Sequence, residues 1–174
     1  MSAESADADA APTAPTASNL TAEQWAAYAP EFAADGTLRD LYVGDTDLGD
    51  WFGVARFLNS AGYTLRFTGG WEGDAFPANV GRLFTGDPTV ERTDLTVDVA
   101  GVRVVCHFFC VEHVELDLDP AEVVDATRLA AIFELMRGLA GATGKDVLLT
   151  PENLPERPIF RVRAGVEGAE YVGH

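Results

Sequence analysis

Basic residues are scarce in this sequence: Lys145 is its single lysine among 12 Lys and Arg residues. Against these stand 28 Asp and Glu residues, which give a formal net charge of −16 and a pI near 4.3. Nucleic-acid binding usually requires a basic patch, and anionic lipid attracts basic segments. We therefore expect no nucleic-acid or membrane partner. The charge favours a basic protein as partner, or simply a soluble acidic protein.

Long apolar runs are also missing. No stretch of about 18 apolar residues predicts a transmembrane helix. The N-terminus lacks the basic segment and apolar core of a secretory signal. Two cysteines are too few for a disulfide framework. These features predict a cytoplasmic protein.

Recognisable catalytic motifs are absent as well. The glycine-rich segment 69–74 lacks the lysine of a phosphate-binding loop, and its Glu72 and Asp74 would repel a phosphate. Neither a Gly-x-Ser-x-Gly nor a His-Glu-x-x-His pattern occurs. We predict no catalytic residues, no cofactor and no metal site. Trp71, at the tip of the glycine-rich loop, is either an ordinary loop residue or an anchor for a partner, since Trp is enriched at binding hot spots.

The residues that are present suffice for one domain, because 47% of them are hydrophobic. Residues 1–19 contain mostly Ala, Pro, Thr, Ser and Asp, and are predicted to be a disordered tail. Residues 20–174 are predicted to form a single domain. Its elements follow the order helix, strand, helix, strand, short helix, three strands, long helix and two strands. This order predicts an α+β fold: a mixed, largely antiparallel sheet with helices packed on one side.

Helix boundaries are indicated by capping residues. Thr21 is the predicted N-cap of the first helix, and Asp45 or Thr46 that of a helix ending near Ser60. Asp125 or Thr127 begins the longest helix. Its predicted buried stripe is Leu129, Ile132, Phe133, Met136, Leu139 and Ala140.

The most apolar stretch, residues 102–119, is predicted to be the central β-structure. Strand alternation places an apolar set on one face, namely Val102, Val104, Cys106, Phe108 and Cys110. Eighteen extended residues would span roughly 60 Å, which is too long for one strand of a small domain. We therefore expect a bend at residues 111–113 and a second strand at residues 114–119.

Cysteine and histidine residues in this stretch suggest a zinc site, which the predicted strand geometry opposes. Cys106 and Cys110 would lie about 13 Å apart in an extended strand, too far to share one zinc ion or form a disulfide. His107 would face away from both. The same alternation argues against Cys106 and His107 as a nucleophile and its base. Both thiols are predicted to be structural and buried.

Two acidic groups are candidate functional residues. The first contains Glu112, Glu115, Asp117 and Asp119, and the second contains Asp40, Asp45, Asp47 and Asp50. Each is open to three interpretations: a solvated surface, a face that binds a partner, or paired acids and metal ligands for hydrolysis. The residues proposed to bind a partner are Glu112, Glu115, Asp117, Asp119, Asp45, Asp47, Asp50 and Trp71.

Three segments carry a resemblance. They are Leu38-Arg-Asp-Leu-Tyr-Val-Gly-Asp-Thr followed by Asp50-Trp51, Cys106-His-Phe-Phe with Glu115-Leu-Asp-Leu-Asp-Pro, and Leu149-Thr-Pro-Glu-Asn-Leu-Pro-Glu. They resemble a pattern of small acidic bacterial proteins that are similar in size and acidity to the immunity proteins of toxin systems. The resemblance implies a soluble inhibitor or accessory protein and no catalytic residue.

Two hypotheses of function follow. The first is a non-enzymatic, acidic protein-binding protein of immunity type that neutralises a basic toxin such as a nuclease. The alternative is a small hydrolase-like enzyme that uses clustered carboxylates, with or without a divalent metal. The sequence leaves enzymatic activity open, although it favours the first hypothesis, and it predicts no oligomeric state.

Overall fold

The computed structural model describes residues 20–84, 86, 89 and 91–173, so the predicted tail at residues 1–19 lies outside the described residues. The helices are α1 (Ala22–Tyr28), α2 (Leu48–Ser60) and α3 (Ala126–Thr143). The strands are β1 (Arg39–Val43), β2 (Thr64–Thr68), β3 (Asp94–Val99), β4 (Val102–His107), β5 (Val114–Leu118), β6 (Val147–Pro151), β7 (Phe160–Val162) and β8 (Glu170–Tyr171). Short 3-10 turns occupy Ala29–Phe32, Val80–Leu83 and Pro120–Glu122.

The eight strands form one sheet in the order β2-β3-β4-β5-β1-β6-β7-β8. The predicted α+β class is confirmed. Every pairing between these strands is antiparallel, so the sheet is not mixed. The first strand, β1, lies inside the sheet between β5 and β6, because the chain returns to it from both sides.

The two faces of the sheet differ in what covers them. One face, here called the covered face, carries buried apolar side chains from seven strands and is packed against the helices. Its members include Leu41, Val43, Leu65, Phe67, Leu95, Val97, Val104, Cys106, Leu116, Leu118, Leu149, Phe160 and Val162. Phe133 of α3 and Phe32 of the first 3-10 turn both meet Phe160 there, at ring separations of 5.0 and 6.4 Å. The predicted packing of helices on one side agrees with these contacts.

Helix ends follow from local hydrogen bonding. Thr21 caps α1 as predicted, and Asp125 caps α3. The predicted caps of α2 are wrong, because Asp47 is its N-cap and forms a reciprocal capping box with Asp50. Asp45 instead occupies the preceding turn with a φ of 53°. The shift arises because Thr46 is buried and its hydroxyl donates to the Val111 carbonyl.

Helices α2 and α3 cross closely beneath the covered face. An added Cβ at Gly53 of α2 would lie 2.4 Å from the carbonyl oxygen of Ala142, so this crossing requires glycine. The predicted stripe of α3 is confirmed, since all six of its residues are buried. Within the described residues, no helix is long and apolar enough to span a membrane.

The central stretch differs from its prediction at one point. Strand β4 ends at His107, and residues 108–113 form a loop before β5 begins at Val114. Phe108 remains buried, but Cys110 lies in the loop rather than on the apolar strand face. The structure also contains one further strand, β8, after the last predicted strand. The sequence pattern did not indicate it.

Candidate protein-binding face

The other face of the sheet, here called the open face, carries polar side chains. Strand register brings together carboxylates that are distant in sequence. Asp40 of β1 pairs directly with Asp117 of β5, and Asp94 of β3 pairs with His107 of β4. Glu115 follows on the same side of β5, and Glu152 approaches from the loop after β6. We call Asp40, Asp94, Glu115, Asp117 and Glu152 the acidic cluster.

His107 bridges two members of the acidic cluster. Its Nδ1 lies 2.7 Å from Asp94 Oδ1, and its Nε2 lies 2.9 Å from Asp117 Oδ2. The hydrogen bond with Asp117, and next that with Asp94, raise the pKa of His107 to about 9, against the opposing effect of burial. The imidazole is therefore protonated at neutral pH, and both ring nitrogens donate.

Asp40 is the most deeply placed carboxylate of the cluster, with 5% of the residue exposed. One of its oxygens accepts the Asn153 N–H at 2.7 Å. Burial raises the pKa of Asp40 to about 6, and the nearby charges of Glu115, Asp117 and Glu152 add to the effect. Asp40 is therefore charged at neutral pH but at a free-energy cost to the folded state.

A shallow cavity of about 180 Å³ lies over the acidic cluster. It is lined by Leu38, Asp40, His107, Phe109, Glu115, Asp117, Glu152 and Asn153. The Phe109 ring stacks on His107 at 5.2 Å and is 52% exposed, so it forms an apolar rim beside the carboxylates. Pockets for small organic ligands usually enclose about 300–1,000 Å³. The cavity is therefore better suited to a single side chain than to a small-molecule substrate.

The first predicted acidic group is only partly brought together. Glu115 and Asp117 belong to the acidic cluster. Asp119 follows them, exposed, and its carboxylate accepts the Ala121 N–H as a cap of the next turn. Glu112 is exposed on the loop before β5. Its pKa is lowered by its own backbone N–H and by the Cys110 thiol.

The second predicted acidic group is divided by the fold. Asp40 belongs to the acidic cluster instead. Asp47 and Asp50 cap α2, and Asp50 also pairs with Lys145 at 2.6 Å. Asp45 is exposed and lines an open cavity of about 500 Å³ beside β1. The helix cap accounts structurally for Asp47 and Asp50, whereas Asp45 remains free to meet a partner.

Trp71 lies in the turn after β2 and is half-buried. Its indole N–H donates to the Ala75 carbonyl at 3.2 Å, and Arg82 covers its ring at 5.5 Å. These contacts hold the side chain against its own loop and the core. They give Trp71 a structural role that the sequence did not reveal.

The two cysteines have different environments. Cys106 is buried as predicted, and burial raises the pKa of its thiol. For Cys110 the prediction is wrong: it is half-buried in the loop, with Sγ 3.2 Å from His113 Nδ1. The alternation argument failed because β4 ends before Cys110. Among the described residues, no three His, Cys, Asp or Glu side chains are arranged to hold a metal ion.

Four residues of the site were not identified from the sequence as parts of this face: Asp40, Asp94, His107 and Glu152. Alternation in β1 does place Asp40 opposite the apolar Leu41 and Val43. Its neighbour Asp117, however, depends on the pairing of β1 with β5 across more than 70 intervening residues. No local pattern indicates that register.

Comparisons with known proteins give no relative for this chain. No family profile matches it, and searches among curated proteins and solved structures also give no match.

Proposed function

We propose that this chain is a non-enzymatic inhibitor of immunity type that covers the basic site of a toxin, such as a nuclease, with its open face. The observation that carries the proposal is the acidic cluster. The register of β1, β3, β4 and β5, together with the loop after β6, collects five carboxylates on the side of the sheet opposite the helices. A cytoplasmic location is part of the same proposal.

Charge complementarity supports this assignment. An enzyme that grips phosphates needs a basic active site, and a cover of opposite charge is attracted to it. The chain carries a net charge of −16, so the long-range field also favours a cationic partner. Arg66, Arg103, His107 and Arg161 lie on the same side of the sheet and reduce its negative charge. The five carboxylates of the acidic cluster, together with Asp98 and Glu170, outnumber them.

The size of the open face also suits a protein partner. Eight strands at about 4.8 Å spacing give a sheet roughly 34 Å wide, and five-residue strands are about 17 Å long. The resulting area is of the same order as the roughly 800 Å² that each partner contributes to a standard interface. Phe109 supplies an exposed aromatic side chain beside the acidic cluster, and aromatic residues are enriched at protein interfaces.

The hydrolase alternative is favoured by one observation, the raised pKa of Asp40 in a cavity beside Glu115 and Asp117. Raised carboxyl pKa values are a feature of general acids. The substitution Asp40→Asn separates the two functions. A hydrolase that uses Asp40 as its acid would lose activity. An inhibitor should still bind its partner, because Asp40 is only 5% exposed and the other four carboxylates of the acidic cluster remain.

The proposal is tested with the product of the reading frame adjacent to the gene. The purified chain should form a complex with that product, suppress its activity and protect cells that co-express the two proteins. An adjacent product that is neither toxic nor bound would contradict the proposal.

A further inference from the structure

The loop between β4 and β5, together with the start of β5, brings a thiol, an imidazole and a carboxylate close to one another. Cys110 Sγ lies 3.2 Å from His113 Nδ1 and 3.8 Å from its Nε2, and His113 Nε2 lies 3.5 Å from Glu115 Oε2. The Tyr42 ring packs against the imidazole at 5.4 Å. A thiol beside a base, with a carboxylate near that base, is the side-chain set of an activated thiol.

The loop is held in place by the core rather than by the three side chains alone. The Val111 carbonyl accepts both the Thr46 hydroxyl, at 2.7 Å, and the Trp51 indole N–H, at 3.2 Å. The Thr46 N–H donates to the Glu112 carbonyl at 2.9 Å. Because Thr46 and Trp51 are buried, the backbone between Cys110 and His113 is fixed before any reagent arrives.

Access distinguishes the two thiols of the chain. Cys106 is buried on the covered face, whereas Cys110 is half-buried at the surface. The His113 side chain is 28% exposed, so a reagent that approaches Cys110 from solvent also meets the imidazole.

The charges around Cys110 are negative. The Cys110 thiol lies close enough to Glu112 to lower the pKa of that carboxyl, Glu115 contacts His113, and the charge of Asp45 reaches the neighbouring Tyr42. These carboxylates attract a cationic reagent and repel an anionic one. Imidazole is a stronger base than a carboxylate, so His113 is the best acceptor for the thiol proton among these side chains.

We propose that Cys110 is a thiol–disulfide exchange site that selects small cationic disulfides, with His113 as the proton acceptor. The thiol proton moves to His113 Nδ1 as Sγ attacks one sulfur of the disulfide. The S–S bond of the reagent breaks, and a Cys110–reagent disulfide forms. The other half leaves as a thiolate and takes the proton from His113. Cys110 is oxidised and the reagent disulfide is reduced, so no further oxidant is required.

The test uses the full chain, with cystamine as the cationic disulfide and dithiodiglycolate as the anionic one. Mass spectrometry of the native protein should show one cystamine adduct, located by peptide mapping at Cys110 and absent in Cys110→Ser. Cystamine should react faster than dithiodiglycolate, and added salt should reduce the difference. Equal rates for the two reagents, or labelling of Cys106 at the rate of Cys110, would overturn the proposal.

Two further variants test the role of His113. His113→Gln should slow the reaction with cystamine at least about tenfold at neutral pH and make the rate depend more steeply on pH, because proton transfer to a positioned base is lost. Tyr42→Phe keeps the ring against the imidazole and should retain the wild-type rate. An unchanged rate and pH profile in His113→Gln would overturn the role of the imidazole. The comparison of two reagents on the wild-type protein needs no variant, so it decides the charge selection even if a substitution unfolds the chain.

Discussion

The two faces of the sheet are formed by the same strands but differ in chemistry: the covered face is apolar and packed, and the open face is polar and charged. On the covered face, apolar side chains such as Leu41, Leu116 and Phe160 are fully or nearly fully buried against helices and core. On the open face, the intervening residues Asp40 and Asp117 bring like charges together across one pair of strands. Packing of apolar side chains stabilises the covered face. The like charges on the open face lower the stability of the folded state.

This difference indicates where function resides. Like charges opposite each other in a sheet are destabilising. The fold partly offsets them with His107, which bridges Asp94 and Asp117, and with the Asn153 N–H on Asp40. A region that reduces stability and still requires such offsets is a candidate for binding. The covered face should therefore be sensitive to volume, and the open face to charge and pH.

The largest effect is expected on the covered face. Phe133→Ala removes a ring that is 2% exposed and packs on Phe160 at 5.0 Å. It should lower the free energy of unfolding by about 3–5 kcal/mol. Urea denaturation of wild type and variant checks this value. A change below 1 kcal/mol would mean that α3 does not pack on the sheet through this ring.

Next in size is a stabilising substitution on the open face. The folded-state pKa of Asp40, about 6, exceeds the ordinary value of 3.8, so folding is favoured by protonation. This group's contribution to stability therefore falls as pH rises from about 4 to 6. Asp40→Asn should abolish that fall and increase stability at pH 7 by about 1–3 kcal/mol. Asp74→Asn, at an exposed carboxyl, is the matched control and should leave the pH dependence unchanged. Loss of stability in Asp40→Asn would contradict the account of this carboxyl.

His107 should give a pH dependence in a separate range. Its folded-state pKa, about 9, exceeds the ordinary value of 6.5, so its contribution is fully present below pH 6.5 and is lost as pH rises through 9. Because the side chain is partly exposed, the expected loss is about 1–2 kcal/mol. Urea midpoints of the wild type and His107→Gln between pH 6 and 10 measure it. A wild-type slope that persists in the variant would assign the effect to another group.

The smallest effect on stability is expected at Asp119, the exposed residue that follows β5. Asp119→Asn keeps an oxygen that can accept the Ala121 N–H. It should change the free energy of unfolding by no more than about 0.5 kcal/mol, as is usual for surface substitutions. Thermal unfolding at pH 7 checks the value, and a larger loss would show that the charge itself holds the turn.

The elements of the fold were largely predictable, because each depends on local patterns. The stripe of α3 and the caps at Thr21 and Asp125 are all readable within a few residues. The site was less predictable, because its geometry depends on strand register. Asp40 was assigned to the wrong acidic group, since its neighbour Asp117 is determined by the pairing of β1 and β5.

The thiol illustrates the same limit. Apolar alternation through Phe108 favoured a strand that continued to Cys110. The chain leaves the strand at His107, so that the Val111 carbonyl can accept hydrogen bonds from Thr46 and Trp51. Those tertiary contacts have no local signature, and they bring Cys110 to His113.

The most direct test of the central claim, that the open face binds a basic partner, is the association rate with the product of the adjacent reading frame. One variant combines Glu115→Gln, Asp117→Asn and Asp119→Asn. Its matched control combines Glu72→Gln, Asp74→Asn and Glu23→Gln, which removes the same net charge at exposed positions away from the open face. We predict that the first variant associates at least about tenfold more slowly at low salt, that raised salt slows the wild type in the same way, and that the control stays near the wild-type rate. Equal rates for the two variants would contradict the claim, because net charge and not the open face would then direct binding.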